Sequence, residues 1–213
     1  MIKNIKIGII DCNFGNIASL INSIKYLGYD FKVINETKKL NDLSHLILPG
    51  VGSFNEAAKK LRNSGWSDEI KEFVIKSKPF LGICLGMQLL FDGSSENGEE
   101  KGLGLFSGKC EKFSKGLNIS LPHIGFNLVE NPKTPIWKNI PNNSPFYFVH
   151  SFRVLLKDKT ETKENELQTS KTFYGENFIS FIEKKNIFGA QFHPEKSHKL
   201  GLNLIKNFAE ETK

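Results

Sequence analysis

The sequence predicts an α/β protein: a central, mostly parallel sheet flanked by helices, with additional short strands in the second half. Three observations predict it. Strand-length apolar runs alternate with segments of helical periodicity from residue 5 to residue 91, and glycine-rich turns, "LPGVGSF" (48–54) and "GICLG" (82–86), close two of those runs. From about residue 100 the pattern changes to short strands and turns. Alternating β and α segments pack as a parallel sheet covered on both faces, with function at the carboxyl ends of the strands.

In chain order, "IKIGII" (5–10) is a buried-strand run, and "NIASLINSIKYLG" (16–28) carries apolar residues at helical spacing before a terminating glycine. "FKVI" (31–34) and "HLILPG" (45–50) give two more strands, and "FNEAAKKLRNSG" (54–65) and "SDEIKEFVIKS" (67–77) two helices. "PFLGIC" (79–84) is a fourth strand that runs into a helix expected over 85–91. Short strands are then expected in "GLGLFSGKCEKF", "HIGFNLVE", "PFYFVHSFRV" and "TFYGENFISFIEKKNIFGAQFHPE", before a closing helix over 200–212. With no repeat and no Pro/Gly/Ser linker, residues 1–213 read as one domain, long enough to bury its own core.

Composition is ordinary for a globular chain, with 39% hydrophobic and 24% charged residues. The net charge of +6 does not point to nucleic acid. A phosphate-tracking surface clusters its cations, whereas here lysines alternate with carboxylates, as in "KDKTETKENE" (157–166), and arginine occurs only at Arg62 and Arg153. No run reaches the roughly 18 apolar residues of a membrane span, and the start lacks a signal-peptide pattern. A cytoplasmic protein without membrane or nucleic-acid partners is expected. Three cysteines without a CxxC pair argue against a disulfide framework and a zinc site, so neither metal nor cofactor is expected.

The chemistry concentrates in "GICLG". A Gly-x-Cys-x-Gly turn between strand and helix is the thiol counterpart of the nucleophile elbow, in which glycines permit a tight turn and the helix start favours a charged nucleophile. Taken alone, Cys84 reads equally as a core cysteine. A cysteine nucleophile needs a base, and the base needs an orienting acceptor. "GAQFHPEKS" offers His193 at the end of an apolar strand with Glu195 two residues on; if the backbone stays extended, both side chains share one side. Gly50 and Gly52 follow a strand and leave backbone amides free to meet an oxyanion beside the amide of Leu85; as an isolated feature they are also what a tight turn needs.

"LPGVG", "PFLGICLGMQLLF" followed by "SSENG", "PHIGFN", "FYFVHSF" and "FGAQFHPEKS", in this order and over essentially the whole chain, resemble the class I (triad) glutamine amidotransferases. Within them the match is closest to the HisH branch, the glutaminase subunits of imidazole glycerol phosphate synthase. The resemblance implies a flavodoxin-like sheet with an α/β-hydrolase-like elbow. It implies Cys84 as nucleophile on the side-chain amide of L-glutamine, His193 as base and then acid, Glu195 as orienting carboxylate, and Gly50, Val51 and Gly52 as the oxyanion strand with Leu85. Gln88 and Glu96 would contact the polar ends of glutamine, and His150, Ser151 and Phe152 would line the rest of the pocket.

The same resemblance implies a heterodimer with a HisF-type (β/α)8-barrel cyclase that receives the ammonia, with His123, Phe126, Asn127, Tyr147 and Lys196 at or near the interface. Two departures stand out: Phe126 replaces the family's interface tryptophan, and the first loop is "DCNFGN" (11–16). They fit a paralogue feeding acetamidino-sugar synthesis, which stays open beside the histidine pathway. A non-catalytic regulatory module would have no reason to keep Cys84, His193 and Glu195 together. An unrelated thiol hydrolase would not explain "PGVG" and "HPEKS" together. Cys12 and Cys110 are expected to be packing residues, His45 a strand-edge residue and His198 a surface residue.

Overall fold

The computed structural model describes residues 5–15, 17–37, 40–96, 98, 100–157 and 166–212, so the start of the chain and most of the mixed-charge stretch 157–166 lie outside it. The first half runs β1 (Lys6–Ile10), α1 (Ala18–Tyr26), β2 (Asp30–Ile34), β3 (His45–Gly50), α2 (Phe54–Asn63), α3 (Trp66–Ile75), β4 (Phe80–Cys84) and α4 (Leu85–Gln88). The second half runs β5 (Phe91–Ser94), β6 (Phe106–Lys112), β7 (His123–Val129), β8 (Ser144–His150), β9 (Phe152–Leu156), β10 (Gln168–Tyr174), β11 (Glu176–Lys184), β12 (Ile187–Ala190) and α5 (His198–Glu211).

The main sheet has seven strands in the order β10-β11-β12-β4-β3-β1-β2. The run from β12 to β2 is parallel throughout, while β11 is antiparallel to both its neighbours. A three-stranded sheet, β5-β6-β9, and the hairpin β7-β8 complete the strands. Alternation of side chains along the strands builds a core on each face. On one face Leu46, Leu48 and Phe80 pack with Leu61, Trp66, Ile70 and Phe73 from α2 and α3. On the other Ile7, Ile9, Ile47 and Leu81 pack with Leu20 and Ile24 of α1 and Leu204, Ile205 and Phe208 of α5.

Most boundaries in the first half fall within two residues of those the periodicity predicts, but the helix expected over 85–91 stops at Gln88. The carbonyls of Leu89, Leu90 and Phe91 accept instead from the backbone of Leu103, Leu105 and Gly104 at 2.7, 2.8 and 3.2 Å. Long-range hydrogen bonds thus replace the next helical turn and start β5. His45 stands at the edge of its strand, as the first residue of β3; that strand lies between β1 and β4, and the ring is buried and meets Phe208 edge-on at 5.2 Å.

Candidate active site

Cys84 ends β4, with φ 54° and ψ −108°, a conformation that L-residues adopt only at a cost of about 1–3 kcal/mol. The flanking glycines make the turn sterically feasible. A Cβ on Gly82 would lie 2.5 Å from the carbonyl oxygen of Gly86, and one on Gly86 would lie 1.9 Å from that of Leu48. The strand folds back onto α4, and α4 rests on β3, with no room for a methyl group at either contact. The sulfur is nearly buried. Its S–H donates to the carbonyl of Val149 at 3.8 Å, and it accepts from Nε2 of Gln191 at 3.7 Å.

His193 follows β12, the neighbour of β4 in the sheet. Its main chain is extended (φ −98°, ψ 97°), but Pro194 starts a 3-10 turn over Pro194–Lys196. The condition of an extended backbone through Glu195 is thus not met; proline, whose fixed φ suits the first position of a helical turn, opens the 3-10 turn instead. The expected contact forms across that turn: Nδ1 of His193 and Oε1 of Glu195 are 2.7 Å apart, both side chains buried. With the carboxylate accepting from Nδ1–H, Nε2 is the face left for chemistry. Nε2 is buried without a partner at ordinary hydrogen-bond distance. Burial disfavours the imidazolium, but Cys84 and Glu195 together outweigh it and raise the pKa of His193.

A cleft of about 260 Å³ opens over the sulfur, lined by Val51, Gly52, Cys84, Leu85, Gln88, Glu96, Val149, His150, Ser151 and Phe152. It gathers the residues predicted for oxyanion and substrate contacts apart from Gly50, which lies on the floor of the same loop and pairs in register with Cys84. Glu96 closes one end, where its Oε2 accepts from the amide of Phe54 at the start of α2 at 2.8 Å. The amide of Val51 donates to the carbonyl of Phe14 at 3.2 Å, so one amide of the glycine loop is engaged away from the cleft.

Four of the five residues predicted for an interface divide between two faces of the β7-β8 hairpin, and Lys196 ends the 3-10 turn after His193. Ile124, Phe126 and Leu128 are exposed on β7, opposite Val149, Tyr147 and Pro145 of β8, and together make an apolar outer face. Lys196 joins it with its ammonium 5.7 Å from the Tyr147 ring centre, and His198 stacks on Phe126 at 5.3 Å. His123 and Asn127 point inward instead. His123 Nδ1 lies 3.1 Å from His150 Nε2, and His150 Nδ1 2.7 Å from the carbonyl of Phe152. Burial lowers the pKa of His123 to about 4 and that of His150 to about 3, the bond to Phe152 only partly opposing it.

Gln191, in contact with the sulfur, has no role in the sequence reading; its signal is the spacing, since Gln191 and His193 are two apart on one strand end. Among the described residues no group of three or more His, Cys, Asp or Glu is placed to hold a metal. No described helix is long and apolar enough to cross a membrane.

The glutamine amidotransferase class-I family model matches residues 8–212. The chain is 44% identical over 205 residues to an imidazole glycerol phosphate synthase subunit HisH of Caldanaerobacter subterraneus subsp. tengcongensis, covering 96% of this chain and 97% of that protein. It is 41% identical to the protein of that name from Sulfurimonas denitrificans, with 96% and 97% covered. Among solved structures it is similar to PurLQS from Thermotoga maritima, with a TM-score of 0.74 at 20% identity over 98% of this chain and 99% of that one. At that identity the likeness speaks for the fold.

Proposed function

Because the chain belongs to the glutamine amidotransferase class-I family, we propose that it is the glutaminase subunit of an imidazole glycerol phosphate synthase, passing ammonia to a (β/α)8-barrel cyclase in histidine biosynthesis. The observation that carries this reading is the elbow thiol lining a cleft of about 260 Å³, with a buried imidazole held by a carboxylate on the neighbouring strand's end.

In this reading each group has a task. Nε2 of His193 takes the thiol proton, and the sulfur of Cys84 attacks the side-chain amide carbon of glutamine. The oxyanion that forms is met by the amide of Leu85 and, once it turns from Phe14, by that of Val51. The imidazolium, steadied by Glu195 through Nδ1–H, gives its proton to the departing nitrogen, and ammonia leaves. Water then attacks the γ-glutamyl thioester, losing a proton to His193, and glutamate and the thiolate separate. Glu96 is placed to meet the substrate's ammonium, and Gln88 reaches the cleft wall.

Ammonia loses its nucleophilicity once protonated in water, which is the physical reason to deliver it within a complex. The apolar outer face of β7-β8, next to the cleft residue Val149, is the surface this reading assigns to the cyclase. The test is Cys84→Ala, assayed with the cyclase from the same genome. Glutamine-dependent synthesis should vanish, and synthesis from added ammonium salt should persist. Loss of both would make Cys84 a folding or assembly residue. Failure of the gene to restore growth without histidine to a strain lacking its HisH would favour the acetamidino-sugar pathway, to which the phenylalanine at 126 also points.

A further inference from the structure

Gln191 is fully buried immediately after β12, and its main-chain amide is tied to the carbonyl of Ser180 at 2.9 Å. Its side-chain amide bridges two partners. Nε2 lies 3.7 Å from the sulfur of Cys84, and Oε1 lies 3.1 Å from Nε2 of Gln88. The orientation of such an amide is ordinarily an assignment, but here the network fixes it. The carbonyl of Phe152 can only accept, so Gln88, 3.2 Å away, must present its NH2 group there. The same NH2 then meets Gln191, which must offer its oxygen, and this turns the Gln191 NH2 group to the sulfur.

The other side of the Phe152 carbonyl is closed in the same way. His150 donates to it from Nδ1, which leaves Nε2 to accept from Nδ1–H of His123, whose own Nε2 lies 3.4 Å from the amide nitrogen of Asn127. The carbonyl of Phe152 therefore accepts from both sides, from His150 and from Gln88, and this sets the donor direction along each run that leaves it. The sulfur is bracketed by an acceptor, the Val149 carbonyl, and by a donor, Gln191. The acceptor suits the thiol and repels the thiolate, whereas the donor favours the thiolate.

We propose that Gln191 is a further catalytic residue, whose Nε2–H holds negative charge on the sulfur of Cys84 as the nucleophile forms and again as the thiolate leaves the acyl intermediate. This rests on Cys84 being the nucleophile of the reading above. The contribution is that of one charge-assisted hydrogen bond at the weak end of its range, about tenfold.

The test is the rate at which iodoacetamide alkylates Cys84 in the full chain, followed on the peptide that contains it by mass spectrometry. Gln191→Met keeps length and volume but removes the N–H. At about pH 7 alkylation should be about tenfold slower than in the unmodified protein, and the two rates should converge near about pH 10, where free thiols ionise. Where the methionine variant does not fold, Gln191→Asn, which withdraws the amide by one methylene, carries the same expectation. Equal rates at about pH 7, or a deficit that persists unchanged to about pH 10, would reduce Gln191 to a packing residue. A wild-type Cys84 no faster than Cys12, whose thiol burial pushes up to about 12, would instead overturn the role of Cys84 itself.

Discussion

His193 and Glu195 are two residues apart, yet they are not equally exposed to substitution. On the proposed mechanism His193→Ala removes the group that carries each proton, and glutaminase turnover with the cyclase present should fall by about 10² to 10⁴. Glu195→Gln keeps an oxygen within reach of Nδ1 and should lose less; the ratio of the two turnover numbers checks the order. His123 and His150 act on stability. Each is held neutral, with a folded pKa of about 4 or about 3 against an ordinary 6.5. Between about pH 6.5 and those values the unfolded chain binds protons that the folded chain refuses. Stability is therefore whole above about pH 6.5 and falls as pH drops, by up to about 1.4 kcal/mol per pH unit for each histidine. His193 has the opposite sign, because its raised pKa gives stability that is lost as pH rises above about 6.5. Urea midpoints should thus fall from about pH 6.5 to about pH 5, and His150→Gln should flatten that limb. The tight turn at Cys84 and the His193–Glu195 contact were legible in the sequence because the elbow and the His-x-Glu spacing are local patterns. The His123–His150 and Gln191–Cys84 contacts were not, because they join residues 27 and 107 positions apart and exist only once the strands pair.

The β7-β8 hairpin has two faces with different work: an inner one of His123, Asn127 and Phe148, and an outer one of Ile124, Phe126, Tyr147 and Leu128. A charge on the outer face touches no core contact. Phe126→Asp should leave the thermal midpoint within a few degrees of wild type, while weakening cyclase binding at least about tenfold, as expected for an aromatic anchor; isothermal titration would measure it. An equal affinity would move the interface elsewhere. The parallel half of the sheet was readable because strands buried on both faces are continuous apolar runs. The short strands were readable as strands but not as partners. That β6 pairs with β5 and β9, and that β7-β8 form a separate pair bridged to β10 through Glu130 and Lys171, are long-range choices that no local pattern encodes. The missing turns of α4 were illegible for a related reason: a sequence window does not contain residues 103–106, whose backbone claims the carbonyls of 89–91.

For the molecule as a whole, the proposed mechanism makes the bond from the Val51 amide to the Phe14 carbonyl the lock on one oxyanion donor. Losing one oxyanion donor typically costs about 10² to 10³ in turnover. The purified chain should accordingly hydrolyse glutamine at least about a hundredfold more slowly alone than with its cyclase and that enzyme's nucleotide ligand. Equal rates in a glutamate-release assay would mean a free-standing amidase. Cys84, the glycine loop and His193 follow the ends of three adjacent parallel strands, β4, β3 and β12, with Gly50 level with Cys84. The site thus works as a vernier, reading the alignment of those strands to one residue, since a slip of one position carries every side chain to the opposite face. An extra residue inserted in the turn before β3 can be absorbed by that turn or passed on as a shift of register. Variants of the second kind should keep much of their helical signal and still be silent with glutamine, making turnover a finer gauge of correct assembly than any melting curve.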